Sequence, residues 1–251
     1  YRARERYQGG CQTLLAADPA RQQLVQRVHR HGENQGPDHQ RQERRKYPVA
    51  QRRQGENKPG ADQDVQKLRR LASLGVEPGD RVALLLGNSP HFVIGYLATI
   101  GLGAVAVPLN PTSPAPELES ELAVVGAKVI IVDKVSAVNW AHVDPALLPT
   151  IETVINTEST EGTVGFDDLV TSSDPLALVE VDTSHLAVLM FTSGTAGAPR
   201  AAMLTHGNLM ANLDQSLSAE GHIDRDDVIF GVLPLFHIFG LNIVMTTGLA
   251  V

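Results

Sequence analysis

Residues 81–110 read RVALLLGNSPHFVIGYLATIGLGAVAVPLN. Arg81–Gly87 is an apolar run of strand length, bounded by Asp80 and Asn88, and it predicts a fully buried strand. Ser89–Gly103 has the length and spacing of a helix. Ala104–Asn110, AVAVPLN, returns to continuous β-rich apolar text. Two fully apolar strands joined by a helix imply parallel pairing, because a parallel sheet is covered on both faces.

The same alternation extends outward. SPAPELESELAVVGAK at 113–128 predicts a helix, with proline and acidic residues in its first turn as the helix dipole prefers. VIIVD at 129–133 predicts a third strand and TIETVINT at 150–157 a fourth. TEGTVGFDDLVTSSDP at 160–175 reads as a polar connector, and HLAVLMF at 185–191 as another buried strand. THGNLMANLDQSLSAEG at 205–221 reads as a helix, and DVIFGVLPLFHIFGLN at 227–242 as a strand running into a helix. Upstream, QKLRRLASLG at 66–75 predicts a helix stopped by Gly75, followed by a turn at VEPGD. The expected class is α/β, with parallel sheet units covered by helices. GLGAVA at 101–106 lacks the last glycine of a dinucleotide fingerprint and precedes a strand, so it reads as packing.

The 251 residues are 43% hydrophobic and 20% charged, the balance of an ordinary globular chain. The net charge of −7 argues against a dedicated nucleic-acid binder. Cys11 is the one cysteine, which rules out an internal disulfide and any multi-cysteine metal site. This usage fits a reducing compartment, and the expected location is cytoplasmic. Phe92–Leu109 and Val228–Val251 are long and uncharged. Their Gly, Pro, His and Asn punctuation reads as helix-and-strand pairs of an α/β core, so no transmembrane segment is expected.

Charge divides the chain. Residues 1–66 hold 13 of the 21 Lys and Arg but 8 of the 28 Asp and Glu. They are rich in Gln and Arg and have no sustained period. Such a stretch buries too little apolar surface to offset its ordering entropy, so it is expected to be disordered or to form short unstable helices. ARQQLVQRVHRHG at 20–32 is its best helix candidate.

The strand ending at Phe191 leads into MFTSGTAGAPRAAMLTHGN, residues 190–208. Read as strand, Gly/Ser/Thr loop and helix, this arrangement suits an anion. Gly194 and Gly197 let backbone N–H groups turn toward a ligand. Thr192, Ser193 and Thr195 add hydroxyl donors. Arg200 adds a planar, permanently charged fork for phosphate oxygens. The alternative is a polar surface connection. The common NTPase loop is excluded, because no Gly-Lys-Ser/Thr occurs.

FTSGTAGAPRAAMLTHGN resembles the Thr-Ser-Gly-Thr-Thr-Gly-x-Pro-Lys-Gly signature of adenylate-forming enzymes, which include acyl-CoA synthetases, luciferases and peptide-synthetase adenylation domains. LGVEPGDRVALLLGNSPHFVIGYLATIGLGAVAVPLNP at 74–111 resembles that family's first sheet unit, and PLFHIFGLN at 234–242 its second core motif. The likeness covers about residues 67–251 and leans to the fatty acyl-CoA ligase branch. It implies a partial N-terminal adenylation domain. It further implies that a carboxylate attacks the α-phosphate of Mg·ATP, giving acyl-adenylate and pyrophosphate, and that the thiol of coenzyme A then displaces AMP. By resemblance, Thr192, Ser193, Gly194, Thr195, Gly197 and Arg200 cradle the β- and γ-phosphates, and His237 sits near the acyl and adenylate pocket. The other reading of His237 is a packed histidine in an apolar helix. Leu235, Phe236 and Phe239 line an acyl tunnel or fill core, with core favoured.

The loop departs from the family at Ala196, Arg200 and Ala201, where the family has Thr, Lys and Gly, so weaker ATP binding is expected. The family's adenine and Mg motif, ribose-binding Asp and C-terminal domain with its catalytic Lys find no match before Val251. On this reading the chain completes neither half-reaction, and no catalytic residue or metal ligand is assigned. Residues 1–66 do not match the family either, and are expected to be an extension or a wrong frame or start. Two other functions stay open. One is an aryl or amino-acid adenylating enzyme of the same superfamily. The other is a nonenzymatic nucleic-acid-associated protein using the Arg-rich segment.

Overall fold

The structure is a computed structural model that describes residues 69–171, 178–192, 199–218, 223 and 227–250. The expectations for residues 1–66 lie outside the described residues.

The chain begins with a short 3-10 helix, Arg69–Leu74. It then alternates strands and helices: β1 (Arg81–Leu85), α1 (Pro90–Gly101), β2 (Val105–Pro108), α2 (Ala115–Val125) and β3 (Val129–Val132). There follow α3 (Ser136–Trp140), β4 (Thr153–Asn156), β5 (Val164–Gly165) and α4 (Phe166–Thr171). The last elements are β6 (Leu186–Thr192), β7 (Arg200–Thr205), α5 (His206–Ser218), a π-helical stretch Gly240–Thr246 and α6 (Thr247–Ala250). Among the described residues the strands form one seven-stranded sheet in the order β5-β4-β3-β1-β2-β6-β7. All neighbours are parallel except β6 and β7.

Two-residue alternation assigns the strand side chains to two cores. Val82, Leu84, Ala106, Val129 and Ile131 point to one face, where Phe92, Ile94, Tyr96 and Ala98 of α1 cover them, with Leu241 and Met245. Ala83, Leu85, Val107, Ile130 and Val132 point to the other, against Leu118, Leu122 and Val125 of α2. The strand order explains the split. The chain moves from β1 to β2 in one direction and from β2 back past β1 to β3 in the other. Crossovers of one hand then place α1 and α2 on opposite faces. Both faces are covered, so β1 beyond Arg81, β2 and β3 are apolar at every position rather than at alternate ones.

Local signals set the helix ends. Ser89 caps α1 by accepting from the Phe92 N–H at 3.3 Å, with Pro90 following it. Gly126 ends α2 at φ +60°, a conformation that costs a side-chain-bearing residue energy. At α5, Asn208 Oδ1 accepts from the Thr205 N–H at 3.0 Å, while Thr205 Oγ1 accepts from the Asn208 N–H at 3.2 Å. This reciprocal pair satisfies two otherwise orphaned donors.

Four expectations are corrected. The predicted helix before Gly75 is, in its described part, the 3-10 helix, closed by the Gly75 N–H on Ala72 O at 3.0 Å. The connector at 160–175 holds β5 and α4, because Phe166 and Leu169 bury into the α1-side core. Residues 227–239 join no sheet among the described residues; Val228 and Phe230 are each 84% exposed. The loop after Phe191 does not lead directly into a helix. It is followed by β7, which returns antiparallel along β6 and delivers α5 at the opposite end of the sheet. No described helix of the chain is long and apolar enough to cross a membrane. Phe92–Leu109 divides into most of α1 and β2.

Candidate active site

Ligand crevices in open parallel sheets form at the carboxyl ends of strands whose onward connections diverge. β2 and β6 are such a pair. They are neighbours, yet the chain leaves β2 back across β1 and leaves β6 outward into β7. Between their carboxyl ends lies a cavity of about 200 Å³. Pro108, Leu109 and Asn110 contribute from the end of β2, and Phe191 and Thr192 from the end of β6. Ser113, Glu117 and Glu121 wall one side, and Phe236 and His237 close another.

Thr192 is directly paired with Arg200 across the β6–β7 ladder. Opposed residues of an antiparallel pair share a face of the sheet, so the hydroxyl and the guanidinium lie on one side of it. Both residues are exposed. Phe191 and its partner Ala201 take the alternate side and pack on the α2-side core. Ser193, Gly194, Thr195 and Gly197 lie outside the described residues. The anion-binding role once assigned to a following helix falls away, because α5 begins five residues beyond Ala201 at the far end of β7.

His237 stands at a bend just before the π-helical stretch and is exposed, so it is not a packed core histidine. Its Nδ1 accepts from the Phe239 N–H at 3.4 Å, which in the neutral ring leaves the proton on Nε2. The bend is closed by the His237 N–H on Pro234 O at 3.1 Å and the Leu241 N–H on His237 O at 2.9 Å. Leu235 is buried core, as expected. Phe239 is 55% exposed, which corrects its placement in the core. Gly240 is sterically required, because a Cβ there would collide with the Pro234 carbonyl. Gly240→Ala is expected to displace the bend and cost about 1–3 kcal/mol, read as a lower urea midpoint at constant slope.

Glu121 went unread in the sequence. Burial, reinforced by the negative charge of Glu117 one turn before it, pushes its carboxyl up to about 7. Its signal was the i, i+4 carboxylate pair on a helix whose neighbouring turn is apolar. The folded chain therefore keeps a proton that the unfolded chain releases near the ordinary value of 4.5. Stability falls as pH rises from about 4.5 to about 7 and is flat above. Glu121→Gln should remove that fall and raise stability at pH 8 by about 1–2 kcal/mol, a figure reduced for its partial exposure. Urea denaturation at pH 5 and pH 8 reads the difference. Ser113, 2% exposed, lines the same cavity, and its Oγ has no hydrogen-bond partner among the described residues.

The family model described as AMP-binding enzyme matches residues 62–251. The chain belongs to the AMP-binding enzyme family. It is 37% identical over 194 residues to 4-coumarate–CoA ligase 1 of Oryza sativa subsp. japonica, covering 72% of this chain and 34% of that protein. It is 32% identical over 188 residues to the 4-coumarate–CoA ligase of Vanilla planifolia, covering 71% of this chain and 34% of that one. Among solved structures it is similar to the anthranilate CoA ligase AuaEII in complex with anthranoyl-AMP. That likeness has a TM-score of 0.69 at 25% identity, covering 75% of this chain and 37% of the other. The chain spans about a third of the length of the curated relatives it matches. In this AMP-binding enzyme, Thr192 and His237 come from two separate motifs, and the fold brings both to one cavity.

Proposed function

We propose that this chain supplies the phosphate-gripping part of an enzyme that activates a carboxylic acid with ATP and passes the acyl group to coenzyme A. The observation that carries this reading is the cavity shared by Thr192 and His237, with Arg200 paired to Thr192 across the β6–β7 ladder. The donor set suits a polyphosphate. Thr192 offers a short hydroxyl donor and Arg200 a fixed cationic fork, and Ser193, Gly194, Thr195 and Gly197 are proposed to complete the collar. Hydrogen bonds there would strengthen as negative charge gathers on departing pyrophosphate. Glu121, uncharged below about pH 7, does not repel the anion in that range.

Mg would offset polyphosphate charge. Among the described residues no group of three or more His, Cys, Asp or Glu is placed to hold a metal ion, so no ligand to Mg is assigned here. No described residue is assigned to coenzyme A. The acid is read as fatty from the sequence motifs. A second reading, an aromatic acid, is favoured by the names of the relatives, which are 4-coumarate–CoA ligases. We further propose that residues 67–251 form one partial adenylation domain and that the enzyme works in the cytoplasm.

Calorimetric titration of the folded chain with Mg·ATP and with pyrophosphate tests the reading. Both should bind, and dodecanoate or 4-coumarate, added to the ATP-loaded chain, identifies the acid class. A folded chain that binds neither phosphate ligand would sink the proposal.

A further inference from the structure

Among the described residues no strand pairs with the segment bearing His237. Residues 227–233 take no regular structure and turn tightly at Gly231, where the Val232 N–H donates to Phe230 O at 2.9 Å; Val228, Phe230 and Val232 face solvent and Ile229 lies against Gly248. Such a segment needs its backbone groups satisfied from elsewhere. One side chain does this. Asn88 lies just beyond the carboxyl end of β1. Its Nδ2 donates to Gly231 O at 3.2 Å and to Leu233 O at 2.9 Å, and its Oδ1 accepts from the Leu235 N–H at 2.9 Å. Both amide hydrogens and the carbonyl oxygen are thus engaged on one passing segment.

The neighbours of Asn88 are tied down as well. The Gly87 N–H donates to Asp133 Oδ2 at 2.9 Å, and Ser89 caps α1. Asn88 is therefore held from both sides by fixed backbone. The last of its three partners, Leu235, is 6% exposed and immediately precedes Phe236 and His237, the two residues that enter the cavity.

We propose that Asn88 is a positioning residue: by holding the backbone of Gly231, Leu233 and Leu235 it sets where His237 stands relative to Thr192. This rests on the functional reading above only in giving His237 a ligand to meet. Asn88 touches no part of the cavity itself, and it acts through the 231–237 backbone.

The test compares the wild-type chain with Asn88→Ala and Asn88→Asp. The Asp variant has the same shape and keeps the acceptor for Leu235 N–H, but places a carboxylate against two carbonyl oxygens. Amide hydrogen exchange is followed for 231–239, with 82–85 and 129–132 as internal controls. Both variants should speed exchange at 231–239 by about 10-fold or more and leave the control strands unchanged. The second readout is the NMR response to pyrophosphate. In wild type both the Thr192 amide and the His237 ring should shift; in Asn88→Ala only Thr192 should. A purely structural role would lose both responses or neither. Unchanged exchange at 231–239, or equal acceleration in the control strands, overturns the proposal. If pyrophosphate leaves Thr192 unmoved in wild type, the functional reading fails, and the exchange data still decide the role of Asn88.

Discussion

Arg200→Ala should weaken pyrophosphate and ATP binding by about 10- to 100-fold, the usual worth of one charge-assisted bond to an anion. Arg200 is the first residue of β7 and the register partner of Thr192. It is exposed on an edge strand, so removing it should leave the urea midpoint almost unchanged. Affinity and stability thus separate, and calorimetry beside denaturation measures both. Arg200→Lys asks a finer question. Lysine restores the family's usual residue and a point charge without the planar fork, so partial or better recovery shows that charge dominates over geometry. If Arg200→Ala binds pyrophosphate as wild type does, the phosphates lie elsewhere.

Phe92→Ala should cost about 3–5 kcal/mol, through lost burial and the cavity left behind. Phe92 is fully buried at the start of α1, stacks on Tyr96 with ring centroids 6.4 Å apart, and belongs to the core that joins α1 to the sheet. Leu147→Ala is the control; Leu147 is 52% exposed, and its loss should stay within about 0.5 kcal/mol. Urea denaturation at constant slope reads both. A cost below about 1 kcal/mol at Phe92 would mean that α1 does not seal the sheet as described.

These two residues also mark how unevenly the sequence could be read. Everything around Phe92 was legible, because a parallel sheet covered on both sides writes itself as unbroken apolar runs of fixed length. β7 was not. It is an edge strand in which Arg200, Ala202 and Met203 are exposed, and its text, RAAMLT, lacks a strand's alternation and has an apolar run of Ala, Met and Leu rather than β-branched residues. The run from Val228 to Val232 erred the other way. Its residues favour a strand by type, but strand formation needs a partner, and none of the described residues supplies one. Thr192 and Arg200 were legible from the density of donors and glycines in their segment, His237 only through motif resemblance. That Thr192 and His237 share a cavity was not legible, because the cavity lies between β2 and β6, whose pairing joins residues some eighty positions apart. Glu121 and Asn88 were missed because ordinary polar residues acquire meaning from what folds against them.

The ladder between β6 and β7 sets Thr192 opposite Arg200. Thr192 and Arg200 are therefore set at cross-strand spacing, on one side of the sheet, before any ligand arrives. Inserting a glycine between residues 192 and 200 should leave that register pair in place. Deleting one residue inside Ala201–Thr205 would instead shift the pairing by one step and swing Arg200 to the opposite side of the sheet, away from its hydroxyl companion.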